Sequence, residues 1–377
     1  MTMQLLVDAA EFWPAARADI AAAREHVRVQ ALTFEADAAG RGLAQALLGS
    51  PAPDKRVMVD CHSWHVVSDK LRYHPKHVFD RALRAEVRDT RAMAAELARE
   101  GIGFKYINPA GPFLRRAPAR NHKKLVSIDG RVAYIGGINF GDHNFAWHDV
   151  MLRIEDPAVA GFLSEDFEWT WGGCDHATTR RFPGIELHVL NGRWNEQQFA
   201  VVLDLIASAR DRIYVQSPYL APPFSEELVK AAHRGVRVQV VTPAVNNWRP
   251  WQDHILWKAA RSPLELLYLN GPMTHMKAMM IDGRTLVMGS ANFELWSYHF
   301  QQEYLALVTD PGVVAAFEER IVRADSARCV PCTETVGALK GRFADLRLQW
   351  VESLALALVG SGDTGPLAPP SPASADC

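Results

Sequence analysis

Apolar and polar positions change their spacing twice in the same way along this chain. Around residues 21–30 a helical spacing gives way to strict alternation, with Val27 and Val29 set between Arg28 and Gln30. That change predicts the end of an amphipathic helix running into a strand. Residues 206–216 repeat it, with Ile213 and Val215 set between Arg212, Tyr214 and Gln216. A short helical stretch and an apolar strand follow each time, at residues 56–60 in the first half and 236–241 in the second. Each half therefore reads helix, strand, helix, strand, hairpin, which predicts an α/β fold with a mixed sheet in each half. The first half carries an extra segment, residues 61–100, with a mostly helical pattern.

The hairpins carry the chemistry. His122, Lys124, Asp129, Gly130, Arg131, Gly136, Gly137, Asn139 and Phe140 form the first; His275, Lys277, Asp282, Gly283, Arg284, Gly289, Ser290, Asn292 and Phe293 form the second. Both read H-x-K-x4-D-G-R-x4-G-[GS]-x-N-F, with 17 residues from His to Asn. One such motif is weak evidence, but two copies at identical offsets mark an internal duplication. Asp149 follows its histidine by 27 residues and Glu303 follows its own by 28.

Residues two apart on a strand share a face, so His122 and Lys124 point one way, as do His275 and Lys277. Asp-Gly predicts a two-residue turn. That register pairs Ile128 with Arg131, sets His122 opposite Gly137 and His275 opposite Ser290, and leaves room for a ligand beside each imidazole. Asp129 and Asp282 fall at turns with the wrong parity for the histidine face, and read as structural. Asp149 and Glu303 are the expected partners of the imidazoles, fixing the tautomer and the charged ring. Two histidines with two lysines suit phosphodiester chemistry. One imidazole would attack phosphorus and the other would protonate the leaving alkoxide. Lys124, Lys277, Asn139 and Asn292 would surround the phosphoryl oxygens. This scheme uses no metal and no cofactor.

These residues resemble the phospholipase D superfamily, whose hallmark is a duplicated His-x-Lys-x4-Asp motif followed by Gly-[Gly/Ser]-x-Asn. The resemblance runs from about residue 15 to 325. It implies two similar α/β/α sandwich lobes with mixed central sheets, related by a pseudo-two-fold axis, with the histidines meeting between them. Residues 1–185 and 186–345 would be the lobes, and the Gly-, Pro- and Ser-rich residues 360–377 a disordered tail. It also implies His122 as nucleophile and His275 as acid/base. Within the superfamily, the run Arg120-Asn121-His122 and the run Trp147-His148-Asp149 look most like bacterial cardiolipin synthases, as does Ser217-Pro218-Tyr219-Leu220. Glu294-Leu295-Trp296-Ser297 departs from that group's usual Asp-x-Arg-Ser. The resemblance implies phosphatidyl transfer on anionic glycerophospholipids, joining two phosphatidylglycerols into cardiolipin plus glycerol. A phospholipase D hydrolase, a phospholipase D-type nuclease and an inactive interaction protein are the alternatives.

Composition narrows these. The chain has 377 residues, a net charge of -2 and a pI of about 6.7, which does not favour a nucleic-acid-binding face. No apolar run approaches a membrane span, residues 354–359 being the longest. A cytoplasmic protein is expected, with room for peripheral contact at the inner face of the plasma membrane. One monomer would hold a full site. Five scattered cysteines predict no disulfide framework. His62, His65, His74 and His77 could suggest a metal but lack a ligand set. Trp248, Trp251 and Trp257 could face a bilayer or line a buried helix. Arg115, Arg116, Arg120 and Lys123 form a basic run beside His122.

Overall fold

The computed structural model describes residues 1–111, 116–193, 195–246 and 249–360. The expected tail beyond Gly360, Trp248 and Arg115 lie outside them. In chain order the strands are β1 (Thr2–Val7), β2 (His26–Ala31), β3 (Asp54–Asp60), β4 (Val66–Val67), β5 (Lys70–Leu71), β6 (Gly103–Ile107), β7 (Leu125–Ile128), β8 (Val132–Gly136) and β9 (Val150–Glu155). They continue as β10 (Thr178–Phe182), β11 (Ile185–Asn191), β12 (Arg212–Gln216), β13 (Arg237–Pro243), β14 (Glu265–Leu269), β15 (Ala278–Ile281), β16 (Thr285–Gly289), β17 (Gln302–Val308) and β18 (Cys329–Pro331).

The duplication read from the motifs is a duplication of topology. The first sheet runs β1-β9-β8-β7-β2-β3-β6. The second contains β11-β17-β16-β15-β12-β13-β14, the same order, with β10 and β18 added at its edges. Both sheets are mixed: β2–β3 and β3–β6 are parallel, as are β12–β13 and β13–β14, and the motif hairpins pair antiparallel. The second sheet takes up Thr178–Phe182, and the helix Ala338–Gly360 carries the chain past residue 345.

Three apolar cores account for the layering. One joins the first sheet to its outer helices through Phe12, Ile20, Leu43 and Leu97. Another does the same for the second sheet through Phe199, Phe224 and Leu228. The third lies between the sheets, where Leu152, Phe162 and Phe167 meet Leu187, Met280, Tyr304 and Phe317. Its helices Pro157–Gly172 and Pro311–Phe317 begin alike. Asp156 and Asp310 each cap two backbone N–H groups, and proline fills the first turn, where its missing N–H costs nothing. Of the inserted segment, residues 61–100, only Arg81–Arg99 is α-helical; a short 3-10 turn, Cys61–Trp64, and the β4–β5 pair precede it. Cys61, Cys329 and Cys332 are free thiols.

The hairpin register differs by one from the expected pairing. Ile128 pairs with Val132 and Ile281 with Thr285. Asp129 and Gly130 both take left-handed backbone, as do Asp282 and Gly283. Each turn thus holds three residues rather than two. The motif aspartates explain this conformation. The Asp129 carboxylate accepts the backbone N–H groups of Arg24, Glu25 and His26; Asp282 accepts those of Arg210, Asp211 and Arg212. Each pins the start of the strand beside it.

Candidate active site

Each histidine is delivered by a strand end and held by the opposite lobe. Asn121 and Gln302 form an isolated parallel bridge between the lobes, and His148 and Thr274 form its counterpart. His122 N donates to Gln302 O at 2.9 Å, and His275 N to His148 O at 2.8 Å. The residue before each histidine is thereby locked to the residue before the other lobe's carboxylate. His122 Nδ1 lies 2.9 Å from Glu303 Oε1, and His275 Nδ1 lies 2.8 Å from Asp149 Oδ2. Sequence spacing counted each carboxylate from its own histidine; the fold pairs it with the other. Gln30 and Gln216 support the two bridges, donating at 2.8 Å to Asn121 Oδ1 and at 3.0 Å to Thr274 Oγ1.

Gly137 and Ser290 serve these carboxylates rather than open space for a ligand. A Cβ on Gly137 would stand 2.3 Å from both Asp149 oxygens. Ser290 Oγ donates to Glu303 Oε2, and Ser297 Oγ donates to Oε1 at 2.8 Å. His122 Nδ1 also faces the carbonyl of Ser290 at 3.1 Å. Both partners of that nitrogen are acceptors, so it carries the proton and Nε2 keeps the free lone pair.

The site is buried, and its charges answer to that. Burial would raise Glu303, but His122, Lys124 and Ser290 together hold it below the usual carboxylate range. Burial pushes Asp149 up to about 6. Burial lowers Lys124 to about 7 and Lys277 to about 8. His122 is lowered by burial against the pull of Glu303, and His275 well below its ordinary value by burial and then Lys277. Lys124 Nζ donates to His122 O at 2.7 Å, and Lys277 Nζ lies 2.8 Å from both ring nitrogens of His275. Asn139 Oδ1 accepts the Leu32 N–H at 3.2 Å. The matching position in the second lobe is Pro218, which has no N–H, and Asn292 Oδ1 is without a partner among the described residues.

His122, His275, Asn139 and Asn292 line one cleft of about 390 Å³, shared with Trp147, Glu35, Arg120 and Trp296. Two residues around it gain roles that the sequence reading did not assign. Trp147 packs on His275 with ring centroids 4.7 Å apart. Asp60 accepts the Asn121 N–H at 2.6 Å and Arg120 Nη1 at 3.0 Å, fixing the approach to His122; its place at the end of an apolar strand was the available signal. Trp251 and Trp257 are buried against the second lobe. Among the described residues the acidic or histidine cluster close enough to share an ion is Glu35, Asp37 and Glu86. It contains none of the four spaced histidines.

The model of the family described as cardiolipin synthase, phospholipase D-like domain, matches residues 16–171 and 202–324, both motifs included. The chain belongs to this phospholipase D-like family. Cardiolipin synthase 1 of Staphylococcus epidermidis is 26% identical to it over 365 residues, which is 85% of this chain and 67% of that protein. Cardiolipin synthase 2 of the same organism is 30% identical over 237 residues, 54% of this chain and 47% of its own. The chain thus spans about half to two-thirds of these relatives. Phosphatidylserine synthase of Haemophilus influenzae shares the fold across 95% of this chain and 93% of its own, with a TM-score of 0.69 at 13% identity. The phospholipase D-like fold of two facing lobes is therefore shared well beyond recognisable sequence.

Proposed function

We propose that this phospholipase D-like chain is a phosphatidyltransferase of the cardiolipin synthase type, joining two phosphatidylglycerols with release of glycerol. The observation that carries this is the crossed pairing of each imidazole with the other lobe's carboxylate, around one cleft. His122 Nε2 attacks the phosphorus of the first lipid, and the bond from phosphorus to the glycerol oxygen breaks. His275, made imidazolium as the lipid phosphate's negative charge offsets its burial, gives that oxygen a proton from Nε2, then takes one from a hydroxyl of the second lipid. This hydroxyl oxygen attacks phosphorus, the P–N bond breaks, and His122 is regenerated. Two features favour His122 as the nucleophile: its Nε2 is free of the lysine that lies 2.8 Å from Nε2 of His275, and Glu303 is held below the usual carboxylate range whereas burial pushes Asp149 up to about 6. Lys124, Lys277, Asn139 and Asn292 supply cations and amide donors where phosphoryl charge grows. The relatives named cardiolipin synthase support the lipid substrate.

Purified protein is incubated with phosphatidylglycerol in mixed micelles and the products are read by mass spectrometry, with His122→Ala as the blank. Cardiolipin and free glycerol, absent from the blank, are expected. Phosphatidic acid alone would replace transfer by hydrolysis, and no lipid product at all would overturn the lipid reading.

A further inference from the structure

The helix Ala338–Gly360 has two apolar faces. The inner one carries Ala344, Leu348 and Ala355, all buried. Gly341 lies so close to the ring of Trp257 that a Cβ there would come within 2.1 Å of it. Asp345 and Glu352, the helix's acidic residues, also face the protein and lie 2.7 Å from His254 and His299.

The outer face is exposed. Leu339 is 88% accessible, Phe343 67%, Leu346 62%, Trp350 66% and Leu354 44%. At 3.6 residues per turn these five fall within about 80° of arc, a single ridge along the helix. Arg342 and Arg347 are exposed and flank it on opposite sides. The solvent side thus presents large apolar groups between cations, with every helix carboxylate turned away. Large apolar groups flanked by cations can enter a headgroup layer while the opposite face of the helix stays packed on the protein, and their charge complements anionic headgroups. Among the described residues no helix is long and apolar enough to cross a membrane. Residues 361–377 contain one large apolar side chain, Leu367, and so cannot mirror a ridge of five. The helix also abuts the site, since Leu348 and Ala355 cluster with Tyr219, Trp251 and Trp296, and those three line the cleft.

We propose that this ridge seats in the headgroup layer of an anionic phospholipid bilayer, with Arg342 and Arg347 against lipid phosphates, holding the cleft beside the membrane. The seat does not depend on what the cleft turns over, though it suits the lipid reading above.

The test is co-sedimentation of the full chain with vesicles of phosphatidylcholine, with and without phosphatidylglycerol. The wild type is expected to bind the anionic vesicles about tenfold more tightly than the neutral ones, and less tightly as salt rises. Phe343→Ser with Trp350→Ser should lose about tenfold or more in vesicle affinity, as should Arg342→Glu with Arg347→Glu. Both double variants should keep the wild-type melting temperature and wild-type turnover of short-chain, monomeric phosphatidylglycerol. Wild-type failure to bind, or wild-type binding by either folded variant, would overturn the seat. So would a wild-type dimer that Phe343→Ser with Trp350→Ser converts to monomer, because the ridge would then cover a second copy. Vesicle binding with no lipid turnover would overturn the function above and leave the seat standing.

Discussion

Replacing Gly137 by alanine tests the crossed pairing with one methyl group. The added Cβ would meet both Asp149 oxygens at 2.3 Å and Cγ at 2.6 Å. Ordinary contact begins near 3.4 Å, so the carboxylate must withdraw by about 1 Å. It cannot do so and keep its 2.8 Å bond to His275 Nδ1. Misplacement of a catalytic group by 1 Å costs about 10²-fold, and losing acid/base function costs about 10²–10⁴-fold. We therefore expect Gly137→Ala to lower kcat roughly 10²- to 10³-fold, with an overpacking cost of about 1–3 kcal/mol. Gly161→Ala is the control, because nothing lies within 4 Å of a Cβ there and alanine suits its helix. The assay is initial-rate release of glycerol, alongside thermal melts of both variants. A folded Gly137→Ala protein retaining more than half of wild-type kcat would refute the role given to Gly137 and to the Asp149–His275 contact.

Three further outcomes are expected. Asp129→Ala and Asp282→Ala each remove the side-chain acceptor of three backbone N–H groups, so urea denaturation should show losses of about 0.5–2 kcal/mol, as for loss of a cap, with near wild-type specific activity in the folded fraction. Burial would lower the pKa of His148, but bonds to Asp325 and Asp8 outweigh it and raise it to about 9. Its stabilisation should be complete below the unfolded value near 6.5 and be lost as pH rises towards 9. Thermal melts of wild type against His148→Gln across pH 6–10 would show the gap closing in that window. The third outcome concerns the buried lysines, Lys124 near 7 and Lys277 near 8, whose loss of charge should make kcat/KM fall as pH rises through 7–8. A profile still rising through that window would contradict the charged-lysine role.

The sequence carried the layout of the lobes because duplication doubles every local signal. The Gln30 and Gln216 echo marked equivalent strands, and the Asp-Pro steps at 156–157 and 310–311 became equivalent helix starts. The turn was misread because Asp129 and Gly130 fit both a two-residue and a three-residue loop. What selects the longer one is a contact to Arg24, Glu25 and His26, about a hundred residues away. The crossed pairing was out of reach for a related reason. Asp149 and Glu303 lie at nearly equal distances from their own histidines, and only the bridges from Asn121 to Gln302 and from Thr274 to His148 decide which ring each meets. The ridge on the last helix was legible, since Leu339, Phe343, Leu346, Trp350 and Leu354 recur at helical spacing.

The crossing has a consequence for what half of this molecule could do alone. A chain cut between the two sheets would yield two pieces, each bearing an imidazole and a lysine but no carboxylate to orient that imidazole. The orienting group would sit on the other fragment. Neither piece would be a weaker enzyme; each would be an unfinished one, and mixing them would restore both halves of the chemistry at once or neither.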